Sequence, residues 1–134
     1  MLPAFDDFGY LPHGVHQCNL GEVVERFGSG SPEREVETQE LCDFVEWARR
    51  AGIRQVIVNG SYVTSKEVPN DVDIVALPGA DYPRDEKECS QLENRWPFLQ
   101  VFIAVSDADI EQWALGDFGT DRHWRPKGVV EVML

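Results

Sequence analysis

The sequence predicts an α/β (α+β) fold, in which a mixed twisted sheet of about four or five strands is flanked by helices. Four segments have the apolar spacing or the end signals of helices, and four short apolar runs have the length of strands. The chain has 134 residues, which is enough for one hydrophobic core. We therefore expect a single domain over residues 1–134, with no internal repeats.

The first predicted helix follows an extended lead-in over residues 1–18, which shows no apolar period. Asn19 and Glu22 have the spacing of a capping box, in which each side chain accepts a hydrogen bond from the other residue's backbone N–H. Gly28 is a typical helix-ending residue. This pattern predicts a short helix over residues 20–27.

The main helix is predicted over residues 32–51. Ser31 is a favoured N-cap, Pro32 suits the first helical position, and Gly52 ends the segment. One apolar stripe falls at i, i+3, i+4 and i+7: Leu41, Phe44, Val45 and Ala48. The other side is mainly acidic, so we expect the stripe to pack on the sheet and the acidic side to face solvent.

Four apolar runs are predicted as strands: 55–59, 70–77, 98–105 and 129–134. The uniform apolar character of the first is typical of a strand that is buried on both faces. Two further helices are predicted, one over residues 85–95 and one that begins after Ser106. The connection over residues 62–69 has room for one helical turn.

The bulk composition excludes several classes of protein. A formal net charge of −12 opposes direct nucleic-acid binding, which needs a basic surface, but is compatible with a basic partner protein. No apolar run approaches the roughly 20 residues of a membrane span and no signal-peptide pattern is present, so we expect a cytoplasmic protein without membrane contact. The three widely spaced cysteines predict neither a disulfide framework nor a zinc site.

The most informative segment joins Gly60-Ser61 to Asp71 and Asp73 through a nine-residue spacer. Strand side chains alternate, so the two aspartates of the predicted strand 70–77 point the same way, with carboxyl groups about 6–7 Å apart. Like charges this close repel unless a cation lies between them, and oxygen ligands suit Mg²⁺ or Mn²⁺. Gly60 permits a close backbone approach, and Ser61 offers hydroxyl and N–H donors to phosphate oxygens.

A simpler interpretation is a hairpin with a Gly-Ser turn and two solvent-facing aspartates on an edge strand. Either half of the motif alone favours this interpretation. Both halves together, placed between two strands, favour a site for metal-assisted phosphoryl or nucleotidyl transfer.

The segment from Gly60-Ser61 to Asp71-x-Asp73 resembles the hG[GS]…Dh[DE] signature of the DNA polymerase β-type nucleotidyltransferase superfamily. Within that superfamily, the chain is similar to small stand-alone bacterial nucleotidyltransferase-like proteins, some of which act as antitoxins. The similarity spans most of the chain and is specific over residues 60–73. It implies a nucleotidyltransferase-like fold and a nucleoside triphosphate as substrate.

The resemblance also implies roles for individual residues. Asp71 and Asp73 would be the catalytic residues that hold Mg²⁺ or Mn²⁺, and Gly60 and Ser61 would grip the phosphates. Lys66, in the loop beside that turn, is a further phosphate-binding candidate.

One residue departs from the superfamily pattern. A third carboxylate on a later strand normally completes the metal site and helps to deprotonate the attacking hydroxyl group. The residue at that place in the 98–105 run is Gln100, a neutral amide that cannot take up a proton. Loss of a general base lowers a rate by roughly 10²–10⁴-fold. Asp107 and Glu131 are candidate substitutes that no motif supports.

A basic loop is predicted over residues 121–128, where Arg122, Arg125 and Lys127 surround Trp124. Two interpretations stand. The loop meets a nucleotide, with the base on the indole and phosphate on a guanidinium group, or it balances the acidic side of the main helix.

Two functions are compatible with these features. The first is metal-dependent transfer of a nucleotidyl group from a nucleoside triphosphate to a hydroxyl group, on a partner protein such as the basic toxin of a toxin–antitoxin pair. The second is a binding module with weakened catalysis, which neutralises a partner or senses a nucleotide.

Overall fold

The protein is described by a computed structural model that covers residues 2–84 and 96–134. At its centre is a five-stranded mixed sheet with the strand order β1-β5-β2-β3-β4. The strands are β1 (Gly14–Cys18), β2 (Ile53–Asn59), β3 (Asp73–Pro78), β4 (Gln100–Ile103) and β5 (Gly128–Val132). The predicted α/β class, with a mixed sheet of four or five strands, is confirmed.

The α-helices of the described residues are α1 (Leu20–Phe27), α2 (Pro32–Ala51) and α3 (Asp107–Gln112). In each N-cap, the side chain accepts a hydrogen bond from the backbone N–H three residues later: Asn19, Ser31 and Ser106. Gly52 ends α2 in the left-handed conformation, at φ +95°. The predicted starts of these three helices are confirmed. No helix within the described residues has both the length and the apolar character needed to cross a membrane.

The directions of the strands bring several chain segments to one edge of the sheet. β2 is antiparallel to both of its neighbours, β3 and β5, whereas β4 is parallel to β3 and β1 is parallel to β5. The C-terminal end of β2 therefore lies beside the N-terminal ends of β3 and β5. At this edge Asn59 pairs with Asp73, and Asp73 pairs with Gln100.

The sheet has an apolar core on each face. Along β3, Ile74 and Ala76 belong to the cluster that includes side chains of α1 and α2. Val75 and Leu77 belong to a second cluster, with Ile110 of α3. The predicted alternation of this strand is confirmed, and it places Asp73 on the same face as Val75.

The predicted extended lead-in is wrong over its last residues. Residues 14–18 form β1 because their backbone groups pair with β5, and no local pattern signals such a long-range pairing. The third predicted strand, 98–105, is shorter in the structure because its ladder with β3 runs only over Gln100–Ile103. The helical turn predicted in the connection after β2 is a 3₁₀ turn at Ser61–Val63. The helix predicted over residues 85–95 lies outside the described residues.

The aspartate strand also begins later than predicted, at Asp73 instead of residue 70. The hydroxyl oxygen of Ser61 accepts hydrogen bonds from the backbone N–H groups of Asn70 (2.8 Å) and Asp71 (3.3 Å). These two groups are therefore satisfied outside the β ladder. Asp71 consequently lies in the segment before β3 and not on the strand itself.

Arg34 of α2 supports the loop that follows β2. Its guanidinium group donates hydrogen bonds to four backbone carbonyl oxygens: Phe27 (3.1 Å), Tyr62 (2.8 Å), Thr64 (2.7 Å) and Lys66 (2.6 Å). Arg34 is buried, so these carbonyl groups have little access to water. The charged donor therefore holds the loop over residues 61–66 against α2.

We expect Arg34→Met to lower the free energy of unfolding by about 3 kcal/mol, because buried carbonyl groups lose a charged hydrogen-bond donor. Urea unfolding followed by circular dichroism measures this change. Arg49→Met removes an exposed cation from the same helix and is the matched control, with an expected change below about 0.5 kcal/mol. Equal losses in the two variants would contradict the supporting role of Arg34.

Candidate active site

A pocket of about 640 Å³ opens at the edge where β2 ends and where β3 and β5 begin. Four of the predicted site residues line it: Ser61, Lys66, Asp71 and Asp73. Gly60 begins the turn that carries Ser61. The structure therefore brings together the two halves of the sequence motif.

The N-terminal segment forms one wall of this pocket through Phe8 and Tyr10. The backbone N–H of Ser65 donates to the carbonyl oxygen of Gly9 (2.9 Å), and Tyr10 forms a β-bridge with Thr64. The segment before β1, expected to be a featureless lead-in, thus contributes to the site.

Gly60 allows the turn after β2 to approach the segment before β3 closely. Its φ of +91° is a conformation that L side chains rarely adopt, and a Cβ atom at this position would lie 2.6 Å from the carbonyl oxygen of Asp71. The backbone N–H of Tyr62 donates to that same oxygen (3.2 Å). The close approach that the glycine permits is therefore made to the protein's own backbone.

Ser61 fixes the carboxylate of Asp71. Its backbone N–H and its hydroxyl group both donate to Oδ1 of Asp71, at 2.9 Å and 2.6 Å. Both donors that the sequence offers to a phosphate thus contact a carboxylate in this structure. The grip of Ser61 on phosphate remains a prediction.

The carboxyl groups of Asp71 and Asp73 lie close enough to hydrogen bond to each other. Burial, the negative charge of Asp71 and the hydrogen bond to it raise the pKa of Asp73 to about 6. For Asp71, burial acts upward, but the hydrogen bonds from Ser61 and Asp73 outweigh it and lower its pKa. Below about pH 6 the pair therefore shares one proton, which a bound cation would displace.

Lys127 is the partly buried cation of this pocket. It immediately precedes β5, and its backbone N–H donates to the carbonyl oxygen of Gly119 (2.9 Å). Burial lowers the pKa of its ammonium group, whereas the charges of Asp71, Asp73 and Asp121 act to raise it. The lysine thus lines the same pocket as the aspartate pair and interacts electrostatically with both carboxyl groups.

Two neutral amides flank Asp73 on the adjacent strands. Gln100 of β4 is exposed and pairs in register with Asp73, so no carboxylate occupies the neighbouring position on that strand. Asn59 of β2 pairs with Asp73 from the other side and lines the pocket. It is only 4% exposed, and its Oδ1 atom has no hydrogen-bond partner within the part of the chain that the structure describes.

The basic loop is arranged around Asp121. Oδ1 of this residue accepts hydrogen bonds from the backbone N–H groups of His123 (2.7 Å) and Arg125 (3.0 Å), and Oδ2 accepts one from the Tyr10 hydroxyl (2.8 Å). The Arg125 guanidinium group lies 4.5 Å from the centre of the Phe8 ring. These contacts turn the loop towards the pocket and the N-terminal segment.

The other side chains of the basic loop lie in two different places. Arg122 and Lys127 line the pocket, whereas Trp124 is 84% exposed. Lys66 lies at the rim of the pocket and is exposed. Trp124, which the nucleotide interpretation places against the base, does not line the pocket, so both interpretations of the loop remain predictions.

The candidate substitutes for the third carboxylate have other contacts. Asp107 forms an exposed ion pair with Arg54, and Glu131 accepts a hydrogen bond from Gln55 (2.9 Å). Neither lines the pocket. Among residues 2–84 and 96–134, no group of three or more His, Cys, Asp or Glu side chains is placed to hold a metal ion.

Sequence reasoning missed several residues of the pocket. Asn59, Tyr10 and Asp121 were not identified, and Lys127 was assigned only to a basic loop. One rule could have found Lys127. A strand antiparallel to β2 begins where β2 ends, so the residue before such a strand lies near Gly60, and Lys127 is the residue before β5. That rule requires the pairing of β5 with β2, which local sequence patterns do not give.

A family model described as a family of unknown function (DUF6932) matches residues 3–133. The chain belongs to this family. No curated protein and no solved structure gives a significant match.

The aspartate pair makes a prediction about stability and pH. The pKa of Asp73 is raised from 3.8 to about 6 in the folded chain, so the folded state keeps a proton that the unfolded state loses in this range. The resulting stabilisation is present below about pH 4 and is lost as the pH rises through 6. With EDTA present, we expect wild type to lose about 1 kcal/mol relative to Asp73→Asn between pH 4 and 7, after allowance for solvent screening.

Urea unfolding of both proteins across this pH range measures the difference. Glu111→Gln neutralises an exposed carboxylate on α3 and serves as the control. If wild type and Asp73→Asn keep a constant difference in stability at every pH, the pKa of Asp73 is not raised.

Proposed function

We propose that this chain is a metal-dependent nucleotidyltransferase with a nucleotidyltransferase-like fold, as its sequence motif implies. The observation that carries the proposal is the meeting of the Asp71 and Asp73 carboxyl groups in a pocket that also contains Lys127. Two adjacent carboxylates on anchored backbone repel each other, and a divalent cation relieves that repulsion. A hairpin with solvent-facing aspartates would not require the partly buried lysine.

The residues present fit Mg²⁺ or Mn²⁺, which prefer carboxylate oxygen ligands. When bound, such an ion stabilises negative charge on a transferring phosphoryl group. In this chain, Ser61 engages Oδ1 of Asp71 and so orients that carboxylate. Lys127 and the exposed Lys66 supply positive charge for the phosphates of a nucleoside triphosphate.

The formal charge of the pocket is only slightly negative, so with a divalent ion bound it would suit an anionic substrate. Four acidic residues line it, Asp71, Asp73, Asp117 and Asp121, against three basic ones, Lys66, Arg122 and Lys127. The formal balance is thus −1, in a chain of net charge −12 that has twelve Lys and Arg residues in total. We therefore expect a nucleotide with a bound metal ion to be repelled less by this pocket than by the acidic surface elsewhere.

The acceptor in this proposal is a hydroxyl group of a partner protein in the cytoplasm. The acidic surface favours a basic partner, and a toxin encoded with the chain as its antitoxin fits that description. The same charge disfavours a nucleic-acid acceptor.

A second function is favoured by two observations of the site. Gln100 lies beside Asp73 where the superfamily has its third carboxylate, and both donors of Ser61 are engaged by Asp71. A chain with these features is suited to bind a nucleotide or a partner without catalysis. In that case the protein is a binding module that senses or neutralises.

An incorporation assay tests the first function. The chain is incubated with Mn²⁺, candidate partner proteins and each nucleoside triphosphate labelled at the α-phosphate, and protein-bound label is measured. We expect transfer by wild type and a loss of about 100-fold or more in Asp73→Asn, because a metal-ion ligand is removed. Asp107→Asn, whose carboxylate contacts Arg54 outside the pocket, should retain transfer.

Calorimetry with the same nucleotides and partners identifies the second function. Absence of transfer by wild type, together with binding that Asp73→Asn retains, contradicts the enzyme and supports the binding module. Equal transfer by wild type and Asp73→Asn would contradict the assignment of the site.

A further inference from the structure

Asn59 carries an unexplained buried polar atom beside the pocket. Among residues 2–84 and 96–134, its Oδ1 atom has no hydrogen-bond partner, although buried polar atoms are nearly always paired. Leaving such an atom unpaired lowers stability, so a role in binding is a physical reason to keep it. The side chain lines the same pocket as the aspartate pair.

The strand register places this amide beside the metal-binding candidates. Asn59 and Asp73 are directly paired residues of antiparallel strands, and directly paired residues project from the same face of a sheet. An asparagine carbonyl is a hard oxygen ligand of the kind that Mg²⁺ and Mn²⁺ accept. The chain thus offers a third oxygen ligand from β2, where β4 offers only the exposed Gln100.

Lys127 adds a fixed positive charge to this arrangement. It lines the pocket and interacts electrostatically with both aspartates. Within residues 2–84 and 96–134, however, its ammonium group forms no ion pair at or below 4.0 Å. The ammonium nitrogen of Lys127 therefore lies more than 4.0 Å from the carboxylate oxygens of Asp71 and Asp73.

We propose that this pocket takes a single divalent cation and that the amide oxygen of Asn59 is its third protein ligand. The ammonium group of Lys127 supplies the second positive charge beside the carboxylates. Two carboxylates and one amide oxygen supply ligands for one ion, and the ammonium charge near them opposes the binding of a second ion. The identity of the ion rests on the function proposed above.

Titration of the full chain with Mn²⁺, followed by electron paramagnetic resonance of free Mn²⁺, tests the stoichiometry and the affinity. We expect wild type to bind one ion per chain. We expect the double variant Asp71→Asn/Asp73→Asn not to bind this ion. We expect Asn59→Leu to weaken this binding by about 10-fold or more, since even outer-shell partners of metal ligands are worth about 10–100-fold. Two ions per wild-type chain lost in the double variant, or unchanged affinity in Asn59→Leu, would overturn the proposal.

A second substitution at the same position separates ligation from folding. Asn59→Asp places a charged oxygen where the amide oxygen lies, so it should bind Mn²⁺ more tightly than wild type and show a larger rise in melting temperature on adding Mn²⁺. A purely structural role of Asn59 predicts no gain in either quantity. Gln17→Leu, which replaces an exposed amide of β1 outside this pocket, is the matched control and should keep wild-type affinity.

The charge of Lys127 is tested in the opposite direction. Lys127→Met removes a cation that repels the ion, so we expect Mn²⁺ affinity to rise by about threefold to tenfold. Arg49→Met removes an exposed cation near the end of α2 and should leave the affinity unchanged. An unchanged or lower affinity in Lys127→Met would overturn the role given to the lysine.

These measurements do not depend on nucleotidyl transfer. One Mn²⁺ per chain with the expected order of variants, in a protein that transfers no label, would contradict the proposed enzyme and support the single-ion site. The single-ion site alone would be contradicted by label transfer in either of two cases. In the first the wild-type chain binds two ions, and in the second Asn59→Leu binds Mn²⁺ as well as wild type does.

Discussion

The contact between the carboxyl groups of Asp71 and Asp73 is the constraint on which the site depends. Each group is anchored separately: Asp73 by the first position of β3, and Asp71 by two hydrogen bonds from Ser61. Neither can move away from the other without breaking backbone or side-chain contacts. Their repulsion must therefore be removed by a proton or by a cation, and a pocket that holds such a pair is prepared for a positive charge.

The anchoring of Asp71 depends in turn on a series of contacts that begins far from the motif. Arg34 of α2 holds the backbone of the loop through its carbonyl groups, and that loop includes the turn that carries Ser61. Gly60 then allows the turn to approach the carbonyl oxygen of Asp71 closely. A residue of the main helix with no contribution to chemistry thus determines where a carboxylate lies. The buried charge on Arg34 is compensated by several carbonyl oxygens, as a buried guanidinium group requires.

The elements predicted correctly from the sequence are those whose signals are local. Asn19, Ser31 and Gly52 are helix caps that act within four residues, and the alternation along β3 follows from its own apolar positions. The pairing of β1 with β5 connects segments more than 100 residues apart, so local patterns predict an extended lead-in where the structure has β1. The same limit applies to the site. The residues from Gly60 to Asp73 are close in sequence, so their meeting is predicted from a local motif, whereas the position of Lys127 beside them follows only from the order of the strands.

The distribution of donors in the pocket bears on how a phosphate would be recognised. The N–H and hydroxyl groups of Ser61 donate to Asp71, so a phosphate that used them would have to displace a carboxylate. Lys127 and Arg122 carry no such competing hydrogen bond among the described contacts, and both lie in the segment that leads into β5. Recognition of an anionic ligand would therefore depend more on this distant segment than on the Gly-Ser turn. The motif would position the two carboxylates, and the segment before β5 would set which anion the pocket accepts.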